Sequence, residues 1–234
     1  VNERSTAGTM TINGTAQKTF FLLLLAMGSA CFTWSRTFSA AEANPAAAMP
    51  WAIGGAIVGL VAALVICFRH RWAPALAPVY AVAEGLFLGG VSAGLEASYP
   101  GIVIQAVGGT FGTLAGLLLA YQSGLIRATE NFKLGLVAAT GGICLVYLIS
   151  LIGGFFGFPI PYIHSAGPIG IAFSLFVVVV AALNLVLDFD FIEQAADRGA
   201  PKYLEWYGAF ALMVTLVWLY MEILRLLSKM RSRD

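Results

Sequence analysis

GPIGIAFSLFVVVVAALNLVLD, residues 167–188, runs from a Gly-Pro turn signal to an aspartate without meeting another charged side chain. A hydrocarbon core of about 30 Å needs roughly 20 apolar residues as a helix. This stretch is long enough to cross one. Working outward, six more apolar runs of similar length stand at 19–35, 51–68, 73–95, 99–122, 134–157 and 204–227. Short polar or Pro/Gly-rich joints separate them: EANPAAAMP, RHRW, EASYP, RATENFK, GFPIPYIHSAGP and EQAADRGAPK. Lipid offers backbone groups no hydrogen-bond partner, so spans of this length must be helices. The expected fold is all-α: a polytopic membrane bundle of seven helices (19–227), with a cytoplasmic tail at 1–18 and a basic tail at 228–234.

Composition agrees. Apolar side chains make up 59% of the 234 residues and charged ones only 11%, far below the roughly 25% of soluble proteins. A net charge of +1 gives no basic face for nucleic acid. Cys31, Cys67 and Cys144 all lie inside apolar runs. They read as small buried hydrophobes, not as a disulfide framework or a metal site.

The first run, after Lys18, has the look of a signal peptide, with FSAAEA as its cleavage site. The stretch before it is long and acid-bearing for that purpose, so the segment is expected to be retained. Basic residues mark the cytoplasmic side. Arg4 and Lys18, Arg69 and Arg71, Arg127 and Lys133, and Arg198 and Lys202 fall at alternate joints, against Arg36 alone on the others. The pattern puts the N-terminus in the cytoplasm. Arg225, Lys229, Arg231 and Arg233 break it: either the bias is overridden there, or the last segment is re-entrant. Small residues at four-residue spacing, Gly55 with Gly59 and Gly108, Gly112 and Gly116, allow helices to approach closely.

Function is to be sought in the acids inside apolar runs. Glu84, Asp188 and Glu222 lie there, with Asp190 and Glu205 at the rims. An acid at mid-bilayer costs on the order of 3 kcal/mol on insertion scales. Such a carboxylate keeps a proton or holds a cation, and no lysine or arginine lies mid-span to neutralise it. Asn184 stands one turn before Asp188 on the same face, while Asp190 points nearly the opposite way. Arg225, three residues after Glu222, offers a local ion pair. With segments six and seven as a straight hairpin, Asp188 is level with Glu205, whereas Glu222 lies roughly 25 Å further on. Asp188 is otherwise merely the cap of segment six.

Enzyme chemistry finds little footing. GVSAG, residues 90–94, has the letters of a nucleophile elbow but sits in an apolar helix, far from either histidine, His70 or His164. The GxGD string of intramembrane aspartyl proteases is absent. Lys202 and Lys229 only flank the last segment, leaving no lysine for a retinal Schiff base. No cofactor is implied.

RHRWAPALAPVYAVAEGLFLGGVSAGLE (69–96) resembles the second-to-third-segment region of the Bax inhibitor-1 (transmembrane Bax-inhibitor-motif) family. AYQSGLIRATENFKLG (120–135) looks like that family's joint after segment four, and DFDFIEQAADRGAPKYLEWYGAFALMVTLVWLYMEILRLL (188–227) is similar to its close. The longer last strings resemble a bacterial branch, which implies an inner-membrane location. The resemblance implies a bundle with a central last helix that passes calcium ions down their gradient. It also implies a pair of acids on the last two helices that shares a proton and gates the path with pH. Asp188 matches the first acid and Glu222 the second, with Glu205 as the fallback, and Asp188 and Glu222 would hold Ca2+ in transit. Glutamate at 222 and the long spacing depart from the family pattern.

The expected function is thus a pH-sensitive calcium leak, with lipid, calcium ions and protons as partners. Its rivals are a regulatory protein acting on a membrane-protein partner without ion flux, and a proton-coupled transporter.

Overall fold

The computed structural model describes residues 8–39, 43–156 and 167–232. Arg4, His164 and Arg233, and most of the joint before segment six, lie outside the described residues. Seven long helices follow one another: α1 (Ile12–Thr37), α2 (Pro45–Phe68), α3 (Ala73–Ser98, led in by a 3-10 turn at His70–Trp72), α4 (Ile102–Gln122), α5 (Glu130–Phe155), α6 (Pro168–Asp197) and α7 (Leu204–Arg231). All seven are long and apolar enough to cross a membrane. No strand occurs among the described residues, only an isolated bridge between Thr9 and Pro201.

Local chemistry sets the ends. Thr11 caps α1, its hydroxyl accepting from Gly14 N at 3.0 Å, and Thr129 caps α5 through Phe132 N. Both satisfy amides that a helix start leaves open. At the end of α6, Gly199 takes φ +66°. There Ala200 N donates to Ala195 O and Gly199 N to Ala196 O, both at 3.0 Å, the paired bonds of a Schellman stop.

Three boundaries differ from the sequence expectation, each for a polar reason. Helix α1 begins at Ile12, so Lys18 lies on the helix and not in a tail. Helix α6 runs on to Asp197; Asp188 sits within it and does not cap it. Helix α7 is unbroken for 28 residues, about 42 Å at 1.5 Å per residue, so it is not re-entrant. In all three the excess is amphipathic or charged helix, which a hydropathy window cuts off and backbone hydrogen bonding continues.

The helices form two compact units. The first holds residues 1–100 and 190–214, the second 101–189 and 215–234, so α6 and α7 each contribute to both. In the first unit glycines set the spacing. Gly55 on α2 faces Ala83 O on α3, and Gly59 faces Glu84. Gly85 and Gly89 on α3 lie against Ala26 and Ala30 of α1, where a Cβ would overlap backbone. Tyr80 of α3 meets Phe210 of α7 edge-on at 5.0 Å. The buried hydroxyls of α1 bond within their own helix, Thr15 to Thr11 O and Thr19 to Thr15 O, so burial leaves no open donor.

In the second unit Leu136 and Ile143 of α5 pack on Val177 and Val180 of α6, with Phe173 and Trp218 against them. The glycines Gly108, Gly112 and Gly116 of α4 do not serve as the packing face the sequence suggests. A Cβ at any of the three meets nothing within 4 Å. The close approach is made by Gly85 and Gly89 instead.

That contrast is testable on one helix. Gly89→Ala should lower the thermal unfolding midpoint in detergent, by a destabilisation of about 1–3 kcal/mol from overpacking. Gly94→Ala, where a Cβ meets nothing within 4 Å, should leave the midpoint within a degree or two, or raise it. Equal effects from both would refute the α1–α3 contact as the tight one.

Candidate functional site

Five acids come out of the sequence as candidates, and the fold treats them differently. Glu205 opens α7 in the first unit and is 1% exposed. Its Oε1 accepts from both the backbone N and the hydroxyl of Thr11, each at 3.0 Å, and Lys18 Nζ donates to its Oε2. A carboxylate on the open amides of the α1 N-terminus also gains from the helix dipole. Around it Met10 N donates to Ala200 O and Lys202 N to Gly8 O, and Lys18 lies over the Trp206 ring. Glu205 therefore fastens the start of α1 to the start of α7.

Glu222, in the second unit, is also 1% exposed. Arg225 Nη1 donates to both its oxygens, at 2.8 and 3.1 Å, and to the Tyr147 hydroxyl at 2.6 Å. Tyr147 in turn donates to the carboxylate at 3.1 Å. One turn on, Lys229 is buried, its amine donating to Gly170 O at 3.1 Å and to Ser174 Oγ at 2.8 Å. The local ion pair open to Glu222 in the sequence is what forms. A direct Asp188–Glu222 pair does not.

Asp188, in the second unit, is held differently from Glu222. Thr215 of α7 hydrogen-bonds its carboxyl group. Its Oδ2 is enclosed and has no hydrogen-bond partner among the described residues. One turn back, Asn184 Nδ2 donates to Thr140 Oγ1 of α5 at 3.0 Å and to Val180 O at 2.8 Å. The register follows from the extra length of α6. The turn between α6 and α7 spans only residues 198–203, so a residue about nine places before it faces one about nine places after it. That brings Thr215 to the level of Asp188. Glu222 lies two turns further, about 10 Å along the axis.

Asp190, half-buried in the first unit, accepts from Gln194 Nε2 at 2.6 Å. Glu84 is half-buried on α3 with Oε2 facing Gly59, and no hydrogen bond to its carboxylate is seen among the described residues. Three charges thus reach inward to buried partners: Lys18 and Lys229, which the sequence leaves at the margins, and the part-exposed Arg225. No cation lies mid-span, yet the long stems of these side chains carry charge inward from the helix ends. Tyr147 and Thr140 give a fainter signal, as polar residues inside the apolar run of α5. No group of three or more His, Cys, Asp and Glu side chains suited to a metal occurs among the described residues.

Since Glu205 is a fastening, Lys18→Met should destabilise the protein by about 3 kcal/mol, the cost of stranding one partner of a buried pair. The double variant Lys18→Met/Glu205→Gln should recover part of that loss. Detergent melting curves of the four proteins give the coupling, and strictly additive losses would show that the pair contributes nothing.

The family model described as Bax inhibitor 1 like matches residues 1–232. No curated protein and no solved structure matches the chain. Seven membrane-length helices, in a chain matched from the first residue almost to the last, make this an integral membrane protein of the Bax inhibitor 1-like family.

Proposed function

We propose that the protein is a pH-sensitive cation leak that works through Asp188, a conduit and not a catalyst. One observation carries this reading: a carboxylate oxygen enclosed in a helix bundle with no donor to it among the described residues. Buried polar atoms of this kind cost roughly 1–3 kcal/mol when left unsatisfied, which makes this oxygen a place for a proton or an ion. Glu84 is a second acid without a hydrogen bond among the described residues. Of the other titratable groups that α5 and α7 bring into the second unit, Tyr147, Glu222, Arg225 and Lys229 are held in bonds of their own.

The sign of the pH effect follows. At low pH Asp188 carries its proton, is neutral and offers a cation nothing. As pH rises the proton leaves and the charge draws cations in, so flux increases. Because Glu222 is held by Arg225, the gate is a single carboxylate with a threonine donor rather than a pair of acids sharing a proton. Calcium is the ion that the family resemblance implies, and the bacterial inner membrane is the location it implies.

The test uses purified protein in liposomes with trapped sodium- or calcium-sensitive dye, between pH 5 and 8. Flux should rise with pH in the wild type and fall at least about tenfold in Asp188→Asn, a loss of ~1.4 kcal/mol or more in barrier terms. Absence of flux for both ions at every pH would leave the rival reading, a regulatory protein that acts through a membrane partner. Flux that requires a proton gradient would favour the coupled transporter.

A further inference from the structure

The segment before α1 holds the turn between α6 and α7, and both helices lead from that turn to the level of Asp188. Met10 N donates to Ala200 O at 2.7 Å and Lys202 N to Gly8 O at 3.2 Å. Between these bonds Thr9 and Pro201 face each other as an antiparallel pair. The position suits proline, because a pair flanked by two such bonds needs no N–H of its own. Met10 is 2% exposed, its methyl carbon 3.4 Å from where a Cβ on Gly208 of α7 would stand. Thr11 and Lys18 complete the hold through Glu205.

Ala200 and Lys202 belong to the turn and Glu205 to the first turn of α7. From there α6 runs back unbroken to Asp188, and α7 runs on to Thr215, which hydrogen-bonds the Asp188 carboxyl group. At this same level both helices pass from one unit to the other, between 189 and 190 on α6 and between 214 and 215 on α7. With the turn held, the register of α6 against α7 is held, and Asp188 keeps one oxygen enclosed. An enclosed oxygen is out of an ion's reach until the two helices shift against each other. Such shifts are absorbed in short joints at the ends of elements, and the joint here is the turn that Gly8–Thr11 spans.

We propose that Gly8–Thr11 is a strap that keeps the Asp188 path shut and leaves the α6–α7 turn before ions pass. The inference rests on the cation-leak reading above. The outer part of the strap is lightly held. Gly8 is exposed and Thr9 half-buried, and local contacts of this kind open well before a whole helix does.

The double variant Thr9→Cys/Pro201→Cys tests it, because a facing pair of this type stands about 4.5 Å apart at Cα, within disulfide range. The protein is full-length, with Cys31, Cys67 and Cys144 changed to Ala, in liposomes with trapped sodium- or calcium-sensitive dye. Oxidised, it should pass at least about tenfold less than after reduction, since a covalent link replaces a few hydrogen bonds of modest net strength. Equal flux in the two forms overturns the strap and leaves the leak intact. Failure of the introduced pair to join under oxidation overturns it too, by denying the pairing. Where the reduced variant does not conduct, Met10→Ser in the otherwise unaltered chain decides. Losing the buried anchor should raise flux severalfold, and unchanged or lower flux overturns the strap. No flux in the unaltered chain overturns the leak itself, and the inference with it.

Discussion

In hydrocarbon a polar group has only the protein to bond to, and the other features of this chain follow from that scarcity. Backbone groups are satisfied by making every span a helix. Buried threonines on α1 bond back to their own turns. Charged groups have a harder requirement, because a lone charge in low dielectric is far more costly than a lone hydroxyl. Glu205 and Glu222 meet it with cations brought inward on long stems, Lys18 and Arg225. Asp188 meets it, among the described residues, with one hydroxyl. The chain thus supplies the means to neutralise its acids at Glu205 and Glu222 and, among the described residues, not at Asp188 or the half-buried Glu84; the enclosed oxygen of Asp188 is why that place is read as the working site.

The seven-helix plan was legible because the signal is redundant: each span carries about 20 apolar residues, and a charge or two misread does not change the sum. Helix ends were less legible, because hydropathy stops where amphipathic helix begins. Lys18 and Asp197 are helical although each lies beyond the edge of its apolar run. Packing partners were legible only as a class. Glycines at four-residue spacing announce that a helix face is thin, but not that another helix fills it. Gly55 and Gly59 are filled, while Gly108, Gly112 and Gly116 are not. The distinction depends on which helices meet, and that is a property of the whole chain.

The acids show the same division. Their burial was readable from single positions, since a carboxylate inside an apolar run is conspicuous. Their pairing was not. Whether Asp188 faces residue 205, 215 or 222 turns on the length of the joint between α6 and α7, and a shift of nine residues in the end of α6 moves the answer by more than two turns. Arg225 was visible beside Glu222 because an i, i+3 pair is local. Lys18 was invisible beside Glu205, because nothing in sequence connects positions 187 residues apart.

The basic end of α7 illustrates how one fact can serve two readings. Counted as flanking charges, Arg225, Lys229 and Arg231 argue that the last segment ends on the cytoplasmic side, against the alternation of the earlier joints. Yet the positive-inside rule concerns charges that stay in water beside the membrane. Arg225 is bonded to Glu222 and Tyr147, and Lys229 is buried against Gly170 and Ser174. A cation spent on an internal bond loses its force as a topological signal, much as a carboxylate in such a bond loses its force as a proton site. The conflict that pointed to a re-entrant segment is therefore smaller by two charges, while Arg231 still stands in the last turn of the unbroken α7.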